Sequence, residues 1–223
     1  MAIILCINTG FKTASVILSA ENAILAEEKN EMQKDHAFFL EPAIQKVLRV
    51  SDKSLNKIDA VCVVNGPGSY TGLRVGLSSA KALCYVLQKP LILLNTLDVM
   101  ANALHLQTTE KKEVLFCPLI DARRMEVYTA LYNEELKLIK PYSAEILNED
   151  FLQKEYQNQL VITGGDGSLK LQQLTNNKKF IYINPLFLSL PIVNLSMNAY
   201  NSKIFANTIY CEPFYLKPVY FKK

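Results

Sequence analysis

Gly66-Pro67-Gly68-Ser69-Tyr70-Thr71-Gly72-Leu73-Arg74-Val75-Gly76 is the stretch on which the reading of this chain turns. The apolar, β-branched run Ile58 to Val64 delivers it as a strand, and a helix leaves it toward about Gln88. Glycines let the backbone approach a neighbour closely. A strand–glycine–helix junction can aim free backbone N–H groups and the positive helix end at one point, which suits a phosphate or a carboxylate. Arg74 lies in the first turn, and Ser69 and Thr71 add hydroxyls. The other reading of the same residues is a tight turn with close helix packing, its hydroxyls capping the helix. Two nucleotide signatures are absent. No lysine follows Gly72, as a P-loop needs, and Thr71 stands where G-x-G-x-x-G needs its third glycine.

Upstream of the loop, Ile3 to Ile7 reads as a buried strand. Ala14 to Ala20 and Ala23 to Glu28 are strands on either side of a Glu21-Asn22 turn, so the chain opens with a meander. A helix follows with Asp35 as its N-cap. Phe39, Ala43 and Val47 recur on it at helical spacing, as do Phe38, Leu40, Ile44 and Leu48. Pro42 predicts a kink or a short initial turn. Downstream come a strand at Leu91 to Leu94 and a helix from Thr96 to about Leu106.

The second half repeats this grammar. Val114 to Ile120, Glu126 to Tyr132 and Leu136 to Ile146 read as strands, with Asp121-Ala122-Arg123-Arg124 in the first turn. A short helix near Asn148 to Tyr156 precedes the strand Leu160 to Thr163, which ends in Gly164-Gly165-Asp166-Gly167 and a further helix. The duplication predicts two α/β lobes, 1–110 and 111–223, joined near Glu110-Lys111-Lys112-Glu113. No linker rich in Ser or Gly separates them, so close packing is expected. Toward the end, Leu195 to Ala206 reads as a helix and Pro213 to Lys217 as an extended segment, with Pro185, Pro191 and Pro218 interrupting the rest.

Composition bounds the function. Of 223 residues, 50% are apolar and 20% charged, as in ordinary globular proteins. No apolar stretch reaches the roughly 18–20 residues that span a bilayer, and the N-terminus has no basic leader of a signal peptide. Cys6, Cys62, Cys84, Cys117 and Cys211 form no C-x-x-C pair, which fits buried thiols in a reduced cytoplasm. The formal charge is +3, with isolated doublets at Lys111-Lys112, Lys178-Lys179 and Lys222-Lys223. Dedicated nucleic-acid binders concentrate basic charge on one face.

The eleven residues from Gly66 to Gly76 resemble the G-P-G-S-[FY]-T-G-[LI]-R-[IV]-G signature of the bacterial TsaB (YeaZ) family. Thr9 after the first strand, the His36 helix, Asp121-Ala122-Arg123-Arg124 with Glu126-Val127-Tyr128, and Gly165-Asp166-Gly167 are similar as well. Pro213 to Lys217 looks like the family's closing P-x-Y-L-[RK], whereas Asn184 to Asn207 matches weakly. The resemblance implies the duplicated fold of actin, sugar kinases and heat-shock ATPases (ASKHA), with a mixed sheet and flanking helices in each lobe. It also implies a non-catalytic partner in making threonylcarbamoyladenosine (t6A), a modified base beside the anticodon of tRNAs. The expected partners are a catalytic TsaD-like subunit, a TsaE-like ATPase and, when alone, a second copy; tRNA is met only through the complex. By the same resemblance the first-half helices would form the pairing surface, with Phe39, Ala43, Val47, Ser79 and Leu83. Gly66, Gly68, Ser69, Thr71, Gly72 and Arg74 would be a wall of an ATP or ADP site shared with the partner, and Arg123 and Arg124 are second choices. No catalytic residue and no intrinsic metal or cofactor is expected.

Rival functions meet specific obstacles. A metalloprotease needs clustered ligands, and His36 and His105 fall on different elements. A serine hydrolase needs a G-x-S-x-G elbow, which Ser69 lacks. A small-molecule kinase of the same superfold needs carboxylates for magnesium. Asp121 and Asp166 sit at suitable loops, but Asn8 ends the first strand where that fold commonly has an Asp. A purely structural homodimer would use the same helix faces as a heteromeric pairing.

Overall fold

β1 (Ile3–Asn8) is buried along its whole length because helices cover both of its faces. Ile3, Leu5 and Ile7 point to one side, into a core shared with α1 (His36–Val50) and α2 (Tyr70–Leu87). Cys6 points to the other side, where its sulfur lies 3.4 Å from Ser196 Oγ of α5 (Ser189–Asn201). β2 (Ala14–Ala20) and the edge strand β3 (Ala23–Asn30) pair antiparallel to complete the opening meander. β4 (Ala60–Val64) and β5 (Leu91–Leu94) join in parallel, giving the order β3-β2-β1-β4-β5.

The second sheet repeats this order. β6 (Val114–Asp121), β7 (Glu126–Tyr132) and β8 (Leu138–Ile146) form the meander, and β9 (Leu160–Gly164) and β10 (Phe180–Ile183) add in parallel. The result is β8-β7-β6-β9-β10, the duplication expected from the element order. α4 (Ser168–Leu174) packs on β6, and α3 (Thr96–Gln107) sets His105 edge-on to Phe116 at 5.4 Å.

The computed structural model describes residues 1–32, 35–110, 112–152, 156, 159–184 and 186–217. Lys111, Pro185, Pro218 and Lys222-Lys223 lie outside these residues. Several expectations change. The chain does not divide at residue 110: one unit is Met1–Thr96 with Ser189–Phe214, the other Leu97–Leu188 with the residues from Tyr215 on. The cause is packing, since α5 lies against the first sheet and the His105 ring on α3 lies against Phe116 of the second. Of the helix expected near Asn148 to Tyr156, residues 153–155 lie outside the described residues, and the part before them is a hydrogen-bonded turn, with Phe151 N–H donating to Asn148 O at 3.1 Å. The late helix starts at Ser189 and not Leu195, because Pro191 sits in its first turn, where a missing N–H costs little. α1 runs unbroken through Pro42, which is exposed, and Asp35 makes no side-chain cap.

The five cysteines are free thiols. Burial pushes the Cys84 thiol up to about 11 and the Cys117 thiol up to about 12, and raises Cys62 beside Cys6 as well. Protonated, buried thiols of this kind are inert. Among the described residues no helix is long and apolar enough to cross a membrane.

Candidate functional site

The loop from Gly66 to Gly76 is built against the end of β1. Ser69 N–H donates to Gly10 O at 2.8 Å, and the Thr9 hydroxyl donates to Gly72 O at 2.7 Å. A Cβ on Gly72 would stand 1.9 Å from Thr9 O, so only glycine fits there. Gly68 and Gly76 approach Gly10 O and Thr9 Oγ1 in the same way, with a Cβ at 2.5 and 2.3 Å. Gly66 has φ +123 and lies under the closing segment, whose Phe214 N–H donates to Asn65 O at 2.7 Å. Thr96 N–H then takes Gly66 O at 2.8 Å.

The amides of the loop bear on the two readings of the motif. Ser69 Oγ accepts from Gly72 N–H at 3.3 Å and caps α2, so the amides of both Ser69 and Gly72 have partners inside the protein. A phosphate cradle needs such amides free. The glycines serve close backbone packing, and the groups left to solvent are the side chains of Thr71 and Arg74. The Arg74 guanidinium carbon lies 4.1 Å above the centre of the Tyr70 ring, a cation–π contact that fixes its position. The Asn8 amide oxygen is buried and has no hydrogen-bond partner among the described residues.

The helices beside the loop sort the expected pairing residues. Ala43 and Val47 are 3% and 1% exposed in the first unit's own core, so neither can touch a partner. Phe39, Ser79 and Leu83 are half-buried, and Phe39 and Leu83 pack on that core. The outward sides instead carry Phe38 at 83% exposure, Tyr85 at 77% and Val86 at 75%. The signal for Phe38 was available in the helical phase. Phe38 and Phe39 cannot both face inward, and Leu40, Ala43, Ile44 and Val47 already define the buried stripe.

The turn between β6 and β7 is the charged counterpart in the second unit. Asp121 Oδ1 accepts from Arg123 N–H and from Lys170 Nζ, each at 2.6 Å, and Asp166 Oδ1 accepts from Asp121 N–H at 2.9 Å. Partial desolvation would raise the Asp121 pKa, but the hydrogen bonds from Lys170 and Arg123 and their charges outweigh it and hold it below the usual carboxylate value. Lys170 also reaches Glu126 O at 3.1 Å, and Lys217 pairs with the Glu126 carboxylate. Asp121 and Asp166 are thus tied into the turn and its lysine. Elsewhere in this unit, Asp98 Oδ1 accepts from the phenols of Tyr132 and Tyr142 at 2.6 and 2.9 Å, and burial together with that carboxylate raises both phenols. His36 lies buried at the start of α1.

Comparison with known proteins points in one direction. Residues 23–209 match the family model of TsaD, tRNA N6-adenosine threonylcarbamoyltransferase. The tRNA threonylcarbamoyladenosine biosynthesis protein TsaB of Bacillus subtilis is 31% identical over 77% of this chain and 74% of its own length. The Haemophilus influenzae protein of the same name is 27% identical over 84% and 83%. Among solved structures, YeaZ from Pseudomonas aeruginosa superposes with a TM-score of 0.83 at 20% identity, covering 97% of this chain and all of that one (100%). An Arthrobacter polyphosphate/ATP-glucomannokinase shares the fold more distantly, at TM-score 0.54 and 11% identity over 91% and 100%.

Proposed function

The chain belongs to the TsaB family of tRNA threonylcarbamoyladenosine biosynthesis proteins, and from that premise we propose that it serves tRNA threonylcarbamoylation as a non-catalytic subunit that organises a TsaD-like transferase. The observation that carries this reading is the set of large apolar side chains, Phe38, Tyr85 and Val86, left uncovered on α1 and α2. Exposed apolar surface of this kind marks a protein interface. The glycine loop supports it from the other side, because its Ser69 and Gly72 amides hold the fold together and are not offered to a substrate. A TsaE-like ATPase joins the same assembly, tRNA meets the chain inside it, and the chain self-pairs through the same helices when alone. An ATP or ADP at the shared surface would be met by the Arg74 guanidinium and the Thr71 hydroxyl. Four buried free thiols and a tRNA substrate support a cytoplasmic setting for this work.

Light scattering of the purified chain, alone and mixed with the TsaD homologue of the same organism, tests the reading. A one-to-one complex that replaces the free species, with tRNA modification requiring both proteins, is the expected result. No complex at any salt concentration, with ATP present, overturns it. A kinase reading is checked separately, and the pure chain is expected to transfer no phosphate from ATP.

A further inference from the structure

Arg123 and Arg124 stand side by side at the tip of the β6–β7 hairpin with φ +72 and +50. Hairpin turns normally fill such left-handed positions with Asn or Gly, since a side chain there is strained. Both arginines are exposed, and neither forms an ion pair among the described residues. The turn beneath them is stiff. Asp121 Oδ1 holds Arg123 N–H, Glu126 N–H donates to Arg123 O at 3.1 Å, and Leu147 N–H donates to Met125 O at 2.8 Å. Asp121 is engaged by Lys170, Glu126 by Lys217, and Asp166 by the Asp121 amide. Asp121 and Glu126 are therefore paired with lysines at the base of the turn, and the charges displayed to solvent are the two guanidinium groups and the exposed Asp166.

The chemistry of a matching ligand follows from what surrounds the tip. A protein interface needs an apolar core around its charged anchors, and the apolar side chains at this tip are limited to Ala122, Met125 and Ile146, which pairs with Glu126. Exposed ion pairs with carboxylates contribute little. A polyanion differs, because each phosphate neutralised releases condensed counterions and gains affinity without burial. Guanidinium forks also match phosphate oxygens bidentately. We infer that the β6–β7 tip is an RNA-backbone contact, in which Arg123 and Arg124 each hold a phosphodiester of the tRNA substrate. This inference rests on the tRNA-modification reading above.

The test is a titration of labelled, unmodified tRNA transcript with the wild-type chain, alone and together with its TsaD homologue, from about 50 to 200 mM salt. It is repeated with the double variant Arg123→Asn/Arg124→Gly, whose new residues are at ease at positive φ and keep the turn folded. The variant is expected to bind about tenfold more weakly at low salt, with a log–log salt slope shallower by about 1.5, the share of two phosphate contacts. The pair Arg123→Lys/Arg124→Lys keeps the charge and is expected to keep most of the slope. Equal affinity and slope in wild type and Asn/Gly variant, in both settings, overturn the inference even if the two proteins pair normally. So does an Asn/Gly variant that loses pairing, or ATP binding, while tRNA binding stays intact. Failure of the wild-type chain to pair in light scattering would instead sink the broader reading, so the two failures are told apart.

Discussion

Gly72 lies in the first turn of α2 and Gly167 just before α4, each where a helix follows a parallel strand, but they are fastened differently. Gly72 sits so close to β1 that a Cβ would fall 1.9 Å from Thr9 O, backbone against backbone. At Gly167 the nearest obstacle is the Val127 Cγ1 methyl at 2.9 Å, with the backbone of Leu119 and Ile120 at 3.0 Å, and its N–H donates to Leu119 O at 3.0 Å. The first turn launches an 18-residue helix capped by Ser69, the second a 7-residue helix with no side-chain cap. A duplicated plan has thus been spent in two ways. The first unit builds long helices on a clamped turn and leaves apolar side chains on them, whereas the second keeps its helix short and gathers charge at the neighbouring hairpin.

The largest expected effect separates the two turns directly. Gly72→Ala forces backbone apart and should cost about 3 kcal/mol or more, whereas Gly167→Ala asks a methyl and a helix start to yield, for about 1–2 kcal/mol. Urea unfolding followed by circular dichroism reads both. Equal losses would mean that the clamp at Thr9 is softer than its geometry.

Next in size is a contrast between surfaces. Phe38→Asp or Tyr85→Asp should weaken pairing with the TsaD homologue by about 2 kcal/mol, roughly thirtyfold, while changing stability by less than about 0.5 kcal/mol. Ile146→Asp in the second unit, at a residue 71% exposed, should change neither. Val47→Asp is a different experiment, because it puts an unpaired charge in the core and should unfold the first unit. If Ile146→Asp also abolished pairing, the assignment of the interface to α1 and α2 would fall.

How much of this was legible in the sequence depends on range. The strands, the repeated order and the strand–glycine–helix junction were readable because apolar runs and glycines act locally. The use of the glycines was not, since whether a loop amide is free depends on Thr9 and Gly10, some sixty residues earlier in the chain. The helix faces failed for a related reason. Phe38 and Phe39 are adjacent, and the burial of Leu40, Ala43, Ile44 and Val47 against β1 and β2 fixes which one looks outward. The unit boundary was missed because α5 returns to the first sheet after the second has formed, a contact no local pattern announces.

A smaller effect tests how each turn is tied. Thr9→Val keeps the shape but removes the donor to the buried Gly72 O, at an expected cost of about 1–2 kcal/mol. In the second unit Asn184 ties Gly165 N–H at 2.9 Å and Ser168 Oγ at 2.7 Å. Asn184 is exposed, so water can replace it, and Asn184→Ala should cost less than about 1 kcal/mol. The reverse ranking in urea midpoints would show that the second turn is the tighter of the two.

The smallest effect is electrostatic and belongs to the second unit alone, because Asn8 and Gly10 give the first unit no carboxylate at the end of β1. Asp121 has a pKa held down in the folded state, while the unfolded chain returns it to about 3.9. The folded protein therefore binds this proton less readily than the unfolded chain. Its stabilising contribution is complete well above that unfolded value and is lost as pH falls below about 4 through the depressed folded value. With the Asp121 side chain 41% exposed, solvent screening limits the gain to a few tenths of a kcal/mol. Asp121→Asn should accordingly be slightly less stable than wild type near pH 6, with the gap closing toward pH 3. No gap at any pH would assign the role of Asp121 to its hydrogen bond with Arg123 N–H, which an Asn oxygen also accepts, and not to its charge.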